Sequence, residues 1–196
     1  MNKTYLRSAF LILLVFLGGI IGFLTASENW SCPACSFDVN EKITPLVNEE
    51  YYPILMQEIE NAESTIDIVI YEFKWYDKNN SVTELRDLLV EKQNQGVNVR
   101  IILDQSKWYG EITDLSKENS KTGEFLSKNG ISVKLDSEKI TTHDKLVIID
   151  DETVILGSHN WGSSALTKNN EASAMIKDSG IADYYENYFE FLWKNA

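Results

Sequence analysis

The 196-residue chain sets 18 Lys+Arg against 30 Asp+Glu, a formal net charge of −12, and holds only two His and two Cys. That length is enough for one domain with a real core, and a content of 43% hydrophobic and 11% aromatic residues excludes a disordered or low-complexity chain. Two His and two Cys exclude a four-ligand zinc site unless carboxylates or a second chain contribute, and the acidity weighs against a generic nucleic-acid binder.

In chain order, Ser8–Ser27 carries no charge, a run long enough to cross a bilayer core of about 30 Å as a helix. It exceeds the apolar region of a cleaved signal peptide, typically about 7–15 residues. Leu24-Thr25-Ala26 also fits a cleavage site poorly, because Leu24 stands where a small residue is needed. Residues 1–27 are therefore expected to be an N-terminal transmembrane helix that anchors the chain in a membrane, with secretion after cleavage as the alternative. Lys3 and Arg7 precede the run while Glu28, Asp38 and Glu41 follow it, which predicts a cytoplasmic N-terminus and an extracytoplasmic domain. A linker over 28–42 contains Cys32-Pro33-Ala34-Cys35. A redox pair of this kind ordinarily opens a helix in a βαβ unit, so a disulfide within or between chains is the simpler reading. A zinc site built from two such pairs in a dimer is the remaining one. Asn29-Trp30-Ser31 and Asn79-Asn80-Ser81 are glycosylation sequons.

The domain proper is expected over 43–196. Ile43–Val47 is β-prone; Glu49–Ala62 has a helical stripe at Ile54, Leu55 and Ile59; Ile66–Tyr71 is a β-branched run typical of a buried strand. Val82–Gln95 places Leu85, Leu88 and Leu89 on one helix face, with Gly96 as its C-cap, and Val97–Asp104 is a further strand. The polar stretch Gln105–Lys121 predicts a loop, followed by a helix over Thr122–Asn129 and a strand over Ile131–Leu135. Leu146–Ile149 and Thr153–Leu156, joined by Asp150-Asp151-Glu152, predict a hairpin. Ala172–Ile176 is a last strand and Ile181–Trp193 a closing amphipathic helix. Alternating strands and helices followed by a hairpin indicate an α/β domain with a mixed β-sheet flanked by helices.

The hairpin carries the chemistry. Residues 143–160 read HDKLVIIDDETVILGSHN. On a strand, His143 and Lys145 share a face, as do Ser158 and Asn160 just past Gly157, so pairing the two strands gathers four polar groups. The pattern His-x-Lys-x4-Asp-x6-Gly-Ser-x-Asn recurs by chance in fewer than roughly one chain in 10⁵. It resembles the HKD motif of the phospholipase D superfamily: His143, Lys145, Asp150, Gly157, Ser158 and Asn160 all fall in register, and Trp161 follows as in many members. Glu171 occupies the place of the acidic residue that supports the histidine in the single-motif endonuclease-like subgroup, and the likeness extends over about residues 40–196.

The residue types suit phosphodiester cleavage. His143 is suited to attack phosphorus and form a phosphohistidine, Lys145, Ser158 and Asn160 to hold the charged oxygens, and Gly157 to permit close backbone approach. Glu171 can fix the imidazole, and Asp150, at the turn, reads as a supporting group. His159 points to the opposite strand face and makes a poor second histidine. The resemblance supplies a better one, since single-motif members complete the site as homodimers: His143 of a second subunit. No metal and no cofactor is expected. The implied activity is a metal-independent phosphodiesterase, first a nuclease, with phospholipid headgroups as the alternative substrate and a non-catalytic phosphate-binding membrane module as the other reading. Tyr71, Phe73, Trp75 and Tyr76 read as packing aromatics or a substrate groove. Lys107, Lys117, Lys121, Lys128, Lys134 and Lys139 read as a phosphate-facing rim or, with seven interspersed acids, a solvated mixed surface.

Overall fold

β-branched residues alternate so as to bury the central strands on both faces. In β2 (Thr65–Ile70), Ile66, Ile68 and Ile70 turn one way and Asp67 and Val69 the other, and all five are closed to solvent. The computed structural model describes residues 42–108 and 110–196; the expected membrane anchor and the Cys32/Cys35 pair lie outside them. Among the described residues no helix is long and apolar enough to cross a membrane.

The remaining strands are β1 (Ile43–Val47), β3 (Asn98–Leu103), β4 (Lys107–Trp108), β5 (Glu111–Ile112), β6 (Ser132–Leu135), β7 (Lys145–Ile149), β8 (Thr153–Gly157) and β9 (Ala172–Lys177). The helices are α1 (Tyr51–Asn61), α2 (Ser81–Asn94), α3 (Asp114–Lys128), the short α4 (Ser163–Thr167) and α5 (Ser179–Asn195). Seven strands form one mixed sheet in the order β1-β9-β8-β7-β2-β3-β6. β2, β3 and β6 run parallel, and every other pairing is antiparallel. One face packs Ile66, Ile68, Ile101 and Val147 against Leu55, Ile59, Leu85, Leu89 and Leu126. The other packs Val69, Ile102, Ile148 and Val154 beneath Ala182 and Phe189 of α5.

The expected mixed sheet with flanking helices is present. The principal correction is α3, which begins at Asp114 and not at Thr122. Thr113 caps it by accepting the Ser116 N–H, and its buried face is Ser116, Asn119, Thr122, Gly123 and Leu126. A helix whose inward face is mostly polar gives no apolar stripe to read. The α4 turn and the β4–β5 ribbon were likewise not expected, being too short for any periodicity. α5 starts at Ser179 because the Asp178 carboxylate accepts the Gly180 and Ile181 N–H groups.

Candidate active site

The site lies at the carboxyl ends of β2 and β3, where β7 enters the sheet and β8 leaves it. Lys145 pairs with Ile70 at the last rung of β2, and the next residues toward the rim are Asp144 and His143. The Lys145 amine lies 3.2 Å from His143 Nδ1 and donates to the His143 carbonyl at 2.7 Å. It also sits 4.8 Å above the Tyr71 ring, and that ring stands 4.3 Å from the imidazole. Lys145 is buried while His143 is exposed. Burial pushes the Lys145 amine below its ordinary value, and Asp144, Glu171, Glu72 and Asp104 pull the other way. A cavity of about 220 Å³ opens beside the pair, lined among others by Gly157, Tyr185 and Tyr188.

Two buried polar residues hold the floor of this site. Asp104, fully closed to solvent, accepts the Thr142 N–H at 2.9 Å and both the N–H and hydroxyl of Ser106. Asn119, reaching in from α3, donates to the carbonyls of Tyr71 and Asp104 and accepts the Phe73 N–H, each at 2.8 Å. These bonds lock the residue before His143 and the ring beside it. Asp104 was noted in the sequence only as a strand end, and Asn119 had no signal beyond its place in a polar stretch.

Gly157, Ser158 and Glu171 meet where β8 leaves the sheet. A Cβ at Gly157 would collide with Ser173 and lie 2.5 Å from the Ala172 carbonyl, so the close approach this glycine permits is that of β9. Ser158 donates to Glu171 Oε2 at 2.5 Å and accepts the Ala172 N–H at 3.0 Å. Asn169 donates to the other Glu171 oxygen. The expected Glu171–imidazole bond is therefore not the one formed: among the described residues Glu171 holds Ser158, and His143 meets Lys145. Among the described residues, Asn160 Oδ1 is buried without a hydrogen-bond partner.

Asp150 does not join this group. It occupies the hairpin turn at the other end of β7, about 16 Å along the strand from Lys145 at ~3.3 Å per residue. Its carboxylate accepts the N–H groups of Glu63, Ser64 and Thr65 at 2.8, 2.7 and 3.0 Å, which anchors the start of β2. Asp150 and Asp151 both have φ near +55°, a conformation that aspartate tolerates in tight hairpin turns.

A family model described as "Cardiolipin synthase, PLD-like domain" matches residues 55–193. The chain belongs to the phospholipase D-like family. It is 29% identical over 133 residues to a mitochondrial cardiolipin hydrolase of Chlamydomonas reinhardtii, covering 68% of this chain and 53% of that protein. It is 34% identical over 136 residues to a phospholipase D of Rickettsia prowazekii, covering 69% and 59%. The chain thus spans little more than half the length of these curated relatives. In fold it is similar to the phospholipase D family member Nuc of Salmonella typhimurium (TM-score 0.63, 23% identity, 78% of this chain and 95% of that one). NucT of Helicobacter pylori is a second such neighbour (TM-score 0.62, 21% identity, 79% and 96%).

Other residues of this phospholipase D-like chain take structural places. His159 is fully buried, stacked on Tyr51 at 4.1 Å, with Nδ1 2.7 Å from Ser173 Oγ and Nε2 3.0 Å from the Asn48 carbonyl. Trp161 packs edge-on to Phe73, and Trp75 packs against Phe125 and Arg86. Lys107, Lys117 and Lys128 pair with Glu138, Asp114 and Glu124, Lys134 donates to the Trp193 carbonyl, and Lys121 covers Trp75. These lysines make a mixed surface and not a phosphate rim. Lys139 is exposed.

Proposed function

We propose that the chain is a metal-independent phosphodiesterase in which His143 forms a bond to phosphorus as the bond to the leaving oxygen breaks. Water then cleaves the phosphohistidine and returns the imidazole. The observation that carries this reading is the Tyr71–His143–Lys145 cluster at the mouth of a cavity that also contains Gly157. Nε2 is the ring nitrogen without a protein partner among the described residues, and it attacks from the tautomer whose proton sits on Nδ1, with the Lys145 ammonium held by the His143 carbonyl at 2.7 Å. The Lys145 ammonium and the Asn160 amide supply cation and donor for the non-bridging oxygens, while the Ser158 proton is held by Glu171. Glu171, through Ser158, is a positioning residue.

The leaving oxygen needs a proton, and His159 cannot supply it from its buried place. We assign that step to His143 of a second copy, so the active unit is a homodimer with a composite site. The uncharged run at 8–27 makes the protein a single-pass membrane protein with its catalytic domain outside the cytoplasm. The names of the curated relatives favour a phospholipid diester; a nucleic acid is the other candidate, and the segment 73–145, with twelve acids and twelve bases, offers it no excess of cations.

Full-length protein in EDTA, assayed side by side on phospholipid vesicles and on single- and double-stranded DNA and RNA, tests the reading. Activity on one class with a trapped phosphohistidine at His143 is expected. Full activity of His143→Ala, or of a strictly monomeric form, would overturn it.

A further inference from the structure

The outward face of α5 carries an aromatic stripe beside the exposed polar residues Asp183, Asn187, Glu190 and Lys194, where the solvent face of a helix is ordinarily polar throughout. Ala182, Tyr185, Phe189 and Leu192 turn to the sheet. Tyr184, Tyr188 and Phe191 are left in a single stripe at four- and three-residue spacing, 72%, 37% and 64% exposed. Glu186 and Glu190 are drawn aside to Arg100, and the helix's one base is Lys194. The stripe runs into the active-site cavity: Tyr188 lines it with His143 and Lys145, and its hydroxyl donates to Asp144 Oδ2 at 2.8 Å.

We propose that this stripe docks on a phospholipid bilayer and presents the His143 cavity to headgroup phosphodiesters, which names a substrate class and rests on the phosphodiesterase reading above. Tyr and Phe combine apolar area with, in Tyr, a polar tip, the chemistry that settles at a lipid–water boundary. A nucleic acid would need cations along the same face, and the stripe has none between Tyr184 and Phe191. The bilayer is also within reach. Residues 28–41, between the uncharged run and Lys42, span at most about 50 Å when fully extended.

The test uses full-length protein reconstituted in phosphatidylcholine vesicles, with Phe191→p-benzoylphenylalanine as a photocrosslinker. A lipid adduct at that position is expected. A two-chain product, an adduct to added single-stranded DNA, or no adduct would overturn the docking surface. In parallel, the Tyr184→Ser/Phe191→Ser double variant, whose changed residues do not line the cavity, is assayed on bilayer phospholipid and on a soluble short-chain phosphodiester. Bilayer turnover should fall about tenfold or more while the soluble diester is cleaved as before; equal rates of wild type and variant on the bilayer would sink the proposal. A lipid adduct without cleavage of either diester would leave the docking surface standing and remove the phosphodiesterase reading. Cleavage of the soluble diester with no lipid adduct would do the reverse.

Discussion

The Asp104 carboxylate accepts the Thr142 backbone N–H at 2.9 Å, one residue before His143, from a place fully closed to solvent. Its second oxygen accepts two further bonds from Ser106, so the entry to β7 hangs on one buried side chain. Asp104→Asn turns one acceptor into a donor that faces N–H or O–H groups. It should cost about 1–3 kcal/mol of stability and, by loosening the imidazole, lower kcat about tenfold with little change in KM. Urea unfolding and steady-state kinetics check the two effects; an unchanged kcat in a folded variant would separate Asp104 from His143.

The two histidines should respond in opposite ways. His143 is exposed and its removal leaves no cavity, so His143→Ala should keep the wild-type melting temperature while kcat falls about 10³-fold or more. His159 is buried between Tyr51 and Ser173, so His159→Ala should cost about 2–4 kcal/mol and leave the kinetics of the folded fraction near wild type. Calorimetry paired with kinetics on both variants decides it, and a stable but inactive His159→Ala would refute the assignment.

Asp150→Ala is expected to act on stability alone. Three backbone N–H groups at Glu63, Ser64 and Thr65 lose their acceptor, and alanine takes poorly to the positive φ of this turn. The loss should be about 2–3 kcal/mol, read by denaturant titration, with kcat of the folded enzyme within about twofold of wild type. A large fall in kcat without loss of stability would return Asp150 to the reacting group.

The acid cluster behind the sheet gives a pH signature. Arg100 donates to Asp67, Glu186 and Glu190 at once. Burial first, and the neighbouring Asp67 second, push the Glu186 carboxyl from its ordinary 4.5 up to about 7. A carboxyl raised in the folded state favours folding below its unfolded value, and that contribution is lost as pH rises through the folded one. Stability should therefore fall between about pH 4.5 and 7. Glu186→Gln, which keeps an oxygen for Arg100, should gain on the wild type across that window and hold its advantage above it. Parallel melting curves of the two proteins from pH 4 to 8 would refute the assignment.

Read alone, the sequence determined the β7–β8 hairpin and the strands of the seven-stranded sheet. It placed Lys145 on β7 and His143, Ser158 and Asn160 close to the hairpin's open end, though these three lie just past the strand ends. These follow from period-two alternation and from spacing inside one short segment, both local properties of the chain. It also separated His159 from Ser158 and Asn160 by expecting strand alternation; the structure buries His159 against Tyr51 and Ser173, past the end of β8. What lay outside that reach was every relation across the sheet. α3 was half hidden because its buried face is polar, and Asn119 binds groups 48 and 15 residues away in the chain. Glu171 was assigned to the imidazole by position, yet β9 brings it to Ser158. Asp150 shares the motif's register but sits a strand's length from its chemistry. The exposed aromatic stripe of α5 became visible only once the sheet showed which side of the amphipathic helix it buries. Contacts of this kind depend on which elements pack together, and only the tertiary structure decides that.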